Sequence, residues 1–158
     1  MNNCIKNLFR PKWKNSDSWI RREAVERLND QKLLVKIART DTDDRVRMSA
    51  AARLTDKALA QNVFSDIAKK SLWAEEAVSS VIDQTLLADI ATTARSKTVR
   101  MAAAAKLTDK ALAQSMFADI AKNDILDSMK AILCVTDQTL LADIAKTAKG
   151  DRVRIAAA

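Results

Sequence analysis

The chain has 158 residues, a formal net charge of +7, 48% hydrophobic and 30% charged side chains, one glycine (Gly150) and one proline (Pro11). So few turn formers exclude turn-rich β-folds, and a single glycine excludes a Gly-rich phosphate loop. Residues 1–22 hold six basic side chains against one acid, Asp17, so most of the excess charge is N-terminal and the rest of the chain is nearly neutral.

Residues 1–15 form a basic N-terminal segment. Ile5, Leu8 and Phe9 make a short apolar face, with Lys6, Arg10, Lys12 and Lys14 around it. Two readings fit: a cap on the array that follows, or a surface for an anionic membrane or nucleic acid. The opening LFRPKWKNSDSWIRREAV is similar to the start of other bacterial repeat proteins, which favours the cap. Trp13 and Trp19 flank the first repeat and are expected to cover its apolar end.

Repeats dominate residues 16–158. Segments 46–69 and 99–122 differ at five of 24 positions, and DQTLLADIA occurs identically at 83–91 and 137–145. A shorter period lies inside this duplication. Asp30, Asp56, Asp83, Asp109 and Asp137 are spaced 26 to 28 residues apart. An alanine stands six residues before each: Ala24, Ala50, Ala77, Ala103 and Ala131, with Ala157 in register in an incomplete last copy. An Ile-Ala pair closes each following segment, from Ile37-Ala38 to Ile144-Ala145. The units span about 16–40, 41–70, 71–94, 95–123, 124–148 and, in part, 149–158.

Each unit predicts two helices. The first follows the periodic Asp, with Thr136 or Asp137 placed to cap it in the fifth unit. Leu140, Leu141, Ile144 and Ala145 form one apolar stripe along that helix. In the second helix, Val46, Ala50, Ala51 and Leu54 form another. A hairpin this short buries little alone, so stability must come from stacking on neighbours. The central alanine lets those neighbours approach closely.

The run Asp-x-x-Val-Arg-x-x-Ala-x-x-x-Leu at 43–54 resembles the second helix of a HEAT repeat. Asp17 with Ile20-Arg21 through Leu28 shows it again, Asp151 with Val153-Arg154 begins it once more, and Val99-Arg100 keeps all but the Asp, which is Ser96 here. The pattern breaks at Trp73-Ala74 and Asp127-Ser128. The short unit is also similar to the leucine-rich repeat variant class. The HEAT-like resemblance implies an all-α, right-handed α-solenoid of about five and a half stacked two-helix repeats.

Five side chains are candidates for an inner binding face: Arg47, Arg53, Arg100, Lys106 and Trp73. Arg21, Arg47, Arg100 and Arg154 are equivalent, and read either as a basic ridge or as a ladder in which each meets a loop acid such as Asp17, Asp43, Asp44 or Asp151. The neutral body favours the ladder. Arg27, Arg53 and Lys106 form a second set, read as solvated surface beside the core. Trp73 replaces a Val or Ile and reads as an enlarged core residue rather than a stacking platform. Met48, Met101, Met129 and Ile155 recur in register as half-buried packing.

No catalytic residue, metal site or cofactor is expected. The chain has no histidine, and its acids recur in every unit, whereas a catalytic acid sits in a special environment. Cys4 and Cys134 fit no ligand spacing and read as free thiols in a reducing cytoplasm. No apolar run reaches membrane-span length. The expected function is a protein-interaction scaffold for a protein or peptide partner. The alternatives are nucleic-acid binding, since HEAT-like alkylpurine DNA glycosylases use this architecture with a basic groove, a catalytic Asp and aromatics, or a structural module of a longer array. Ala158 falls inside a repeat, so the array either continues or ends in a face able to join a second copy.

Overall fold

The computed structural model describes residues 11–123 and 128–158. Among the described residues the chain forms eleven α-helices and no strand, after a 3-10 turn at Lys12–Lys14. It divides into two compact units, Met1–Ile67 and Ala68–Ala158.

The first unit holds α1 (Ser18–Val25), α2 (Gln31–Thr40), α3 (Asp44–Ala52) and most of α4 (Lys57–Lys70). Here α3 packs on both α1 and α2, and the 3-10 turn packs on α1. The second unit holds α5 (Ala74–Ser79), α6 (Gln84–Thr93), α7 (Lys97–Ala105), α8 (Lys110–Asn123), α9 (Ser128–Ile132), α10 (Gln138–Thr147) and α11 (Asp151–Ala157). There α6 pairs with α7, α7 with α8, α8 with α9 and α10 with α11, and alternate helices pair too: α5 with α7, α8 with α10, and α9 with α11. Helices of the same repeat position therefore contact one another inside this unit.

The periodic aspartates start the longer helices. Asp30, Asp56, Asp83, Asp109 and Asp137 each accept a hydrogen bond from a backbone N–H two or three residues on. A carboxylate there satisfies an orphan donor and faces the positive end of the helix dipole. The core follows the repeat as well. Ala50, Ala77, Ala103 and Ala131 are fully buried, beside Ile37, Ile67, Ile90, Ile120 and Ile144.

A clip not visible in the periodicity locks the connections. Gln31 Oε1 accepts from Thr55 N (2.9 Å), Gln84 Oε1 from Thr108 N (2.8 Å) and Gln114 Oε1 from Thr136 N (2.6 Å). Each glutamine thereby reaches a turn 22 or 24 residues away and supplies it with an acceptor.

The third repeat departs from the expected shape. Lys70 stands where Asp17, Asp43 and Ser96 cap α1, α3 and α7. No helix starts there: α4 ends three residues after Ile67, as α2 and α6 end three after Ile37 and Ile90, its 14 residues against ten being an N-terminal gain shared with α8, and α5 begins only at Ala74 and has six residues. Trp73 is left at the N-cap of α5 with no side-chain cap bond.

Candidate functional site

The equivalent arginines bind carboxylates within each unit, with two qualifications. Arg21 Nε donates to Asp41 Oδ2 (2.9 Å) and Nη2 to Asp41 Oδ1 (2.8 Å). Both side chains are nearly buried, and the Asp41 hydrogen bond holds Arg21 above its ordinary pKa despite that burial. Arg47 bonds to Asp44 (2.7 Å), Asp66 (3.1 Å) and the Ala38 carbonyl (3.1 Å). Arg154 bonds to Asp151 and to the Ala148 carbonyl.

The first qualification concerns repeats that lack the arginine. Ala74 and Ser128 stand at its place, yet the carboxylates it would have met are still bound. Lys69 pairs with Asp89, and Lys122 with Asp143. These lysines come from the end of the preceding long helix, 20 or 21 residues upstream of their acids. Arg21 and Arg47 lie 20 and 19 residues upstream of Asp41 and Asp66. The ladder is thus kept by substitution of its cation, a compensation that motif matching alone misses.

Arg100 is the second qualification. Its Nε is buried without a hydrogen-bond partner. It lines a cavity of about 250 Å³ with Ala91, Thr92, Lys97, Met116, Asp119, Ile120 and Asn123.

The second basic set does not form solvated surface as expected. Arg53 closes α3 and donates through Nε (3.1 Å) and Nη2 (2.8 Å) to the Leu28 carbonyl. Lys106 closes α7 and donates to the carbonyls of Val78 (3.0 Å) and Ser79 (2.6 Å). Lys106 thus occupies orphan carbonyls in the last turn of α5, where the helix dipole is negative, and Arg53 a carbonyl in the connection that follows α1. Burial pushes the Lys106 ammonium below its ordinary pKa. Only Arg27, paired with Glu23, remains a mostly exposed member of that set.

Trp73 is not an enlarged core residue. Its counterparts Val46 and Val99 are fully buried, whereas Trp73 is 41% exposed and its neighbour Leu72 is completely exposed. The late start of α5 is the cause, because it leaves position 73 outside the helix that would turn it inward. Leu72 and Trp73 line a cleft of about 460 Å³ with Ser71, Ala74, Glu75, Glu76, Ser96 and Val99. Glu75 and Glu76 are exposed in the first turn of α5.

The methionine row is uneven: Met48 is buried, while Met129 and Ile155 are exposed. Trp19 is also exposed, so it covers no apolar end, whereas Trp13 lines a cleft with Arg21, Lys36 and Ile37. The Lys14 ammonium sits 4.7 Å from the Trp13 ring centre. The expectations for residues 1–10, including Cys4 and the apolar face at Ile5, Leu8 and Phe9, lie outside the described residues. Cys134 is a free thiol. Among the described residues no cluster of acids and cysteines is placed to hold a metal, and no helix is long and apolar enough to cross a membrane.

Comparison with protein-family models, with curated proteins and with solved structures gave no match.

Proposed function

We propose that the chain is a non-catalytic, HEAT-like repeat scaffold, a right-handed α-solenoid, that binds a peptide segment of a partner protein at its third repeat. The observation carrying this reading is the exposure of Leu72 and Trp73 in one cleft, with Glu75 and Glu76 beside them. A large aromatic and a leucine in open contact with water lose that cost when a partner covers them. The two glutamates favour a segment with Lys or Arg next to an apolar side chain. The internal use of Arg21, Arg47, Arg53, Lys106, Lys69 and Lys122 weighs against the nucleic-acid reading, since cations already bonded to carboxylates and carbonyls are poor phosphate ligands.

Selection from a displayed random peptide library tests this. Enriched peptides should combine an aromatic or aliphatic residue with a neighbouring Lys or Arg. A Leu72→Ser, Trp73→Ser double variant with an unchanged thermal midpoint should lose them by at least about tenfold, or about 1.4 kcal/mol. Equal enrichment on the double variant, or none on either protein, would sink the proposal.

A further inference from the structure

The duplication supplies an internal control for Arg100. Its twin, Arg47, is held on one side by Asp44, on another by Asp66, and at Nε by the Ala38 carbonyl. The matching positions around Arg100 are Lys97, Asp119 and Ala91, and all three line its cavity. Two carboxylates have become one, and a cation stands where the nearer carboxylate was. Arg100 Nε is buried and makes no hydrogen bond, while Arg47 Nε makes one. A desolvated guanidinium N–H without an acceptor is costly. In the sibling repeat a backbone carbonyl meets Nε, and the carboxylate whose place Lys97 takes meets the Nη1 end of the same guanidinium.

We propose that the cavity between α6, α7 and α8 is a binding site for a carboxylate, which takes the position beside Arg100 that the Asp44 side chain takes beside Arg47. The guanidinium offers a planar fork suited to that group. Lys97 adds positive charge to the lining, and Met116 and Ile120 supply an apolar wall. A volume of about 250 Å³ admits a carboxylate with a short side chain. Asp119, also in the lining, sets the selectivity: it repels a doubly charged anion more than a single carboxylate, so the site disfavours phosphate. The inference is independent of the cleft at Leu72 and Trp73.

The test uses the full chain labelled with ¹⁵N. Sodium acetate is titrated at fixed ionic strength against sodium chloride, with inorganic phosphate in a parallel series, while the backbone amides of Thr92 and Lys97 are followed. Acetate should produce saturable shifts, and phosphate should bind at least about threefold more weakly. Arg100→Gln should abolish the acetate response. Lys97→Asp, which restores the counterpart of Asp44, should weaken acetate at least about tenfold by filling the site from within and should raise the thermal midpoint. An acetylated, amidated tripeptide with a central glutamate separates the sources. Tighter binding than acetate supports an acidic segment of a partner, and equal binding supports a free small acid. Shifts that grow linearly, are matched by chloride, or persist in Arg100→Gln and Lys97→Asp overturn the proposal. Tighter binding of phosphate overturns its carboxylate selectivity.

Discussion

Segments 46–69 and 99–122 are near-copies that differ at five of 24 positions, yet their arginines live in different company. Val46 and Val99 are equally buried, as are Ala50 and Ala103, and Leu54 and Leu107. Arg53 and Lys106, one of the five differences, both donate to backbone carbonyls of the preceding repeat. The consequential change lies just outside the duplicated stretch, where Asp44 in one copy is Lys97 in the other. Packing is copied faithfully because it depends on shape at each position. The polar network is not, because a charge needs its partner and the partner sits on a different turn.

Three sets of substitutions probe that contrast, beginning with the largest expected effect. Asp41→Ala strips Arg21 of a nearly buried bidentate partner and should cost about 2–3 kcal/mol in chemical denaturation. A loss below about 0.5 kcal/mol would mean that the ladder is surface decoration. Next, Arg47→Met and Arg100→Met should separate the twins. The first removes three partly exposed bonds and should cost about 1–2 kcal/mol. The second removes a guanidinium with an unsatisfied Nε and should be neutral or stabilising by up to about 0.5 kcal/mol. Equal losses in the two variants would erase the distinction drawn between the repeats. The smallest effect concerns Ser65, which is 2% exposed, has an Oγ without a partner, and corresponds to Ala118 in the other copy. Ser65→Ala should raise stability by about 0.5–1 kcal/mol, and Ala118→Ser should lower it by a similar amount, both read from thermal unfolding midpoints.

Acid should act on the same capping chemistry. The Asp43 carboxyl would be raised by burial, but the Ser18 hydroxyl and the Arg45 and Val46 amides outweigh this and hold it below its ordinary range. A carboxylate lowered in the fold stabilises it above the unfolded pKa. That contribution fades as pH falls from about 4 through the lower, folded value.

The candidate residues divide along a similar line. Arg47 was legible as a rung of the ladder because Asp44 lies three residues away on the same helix, where side chains meet by geometry. Arg53 and Lys106 were not legible, since their acceptors, Leu28 and Val78–Ser79, lie 25 to 28 residues upstream. Trp73 misled because the register of the repeat assigns it an inward position. That register holds only if the helix begins on time, and α5 begins at Ala74, which leaves Trp73 at its N-cap.

What the amino-acid sequence determined by itself is local and periodic. It set the helical class, the caps at the five aspartates, and the alanine and Ile-Ala positions, most of which became the core while Ala24 and Ala145 stayed half-buried. Each of these follows from dihedral preference, a hydrogen bond two or three residues long, or a stripe on one helix face. Tertiary structure alone decided which cation meets which carboxylate: Lys69 with Asp89, Lys122 with Asp143, and a buried Nε at Arg100 with no acceptor. These outcomes depend on the distance between side chains on successive helices. A distance of that kind exists only once the alanine contacts have brought the helices together.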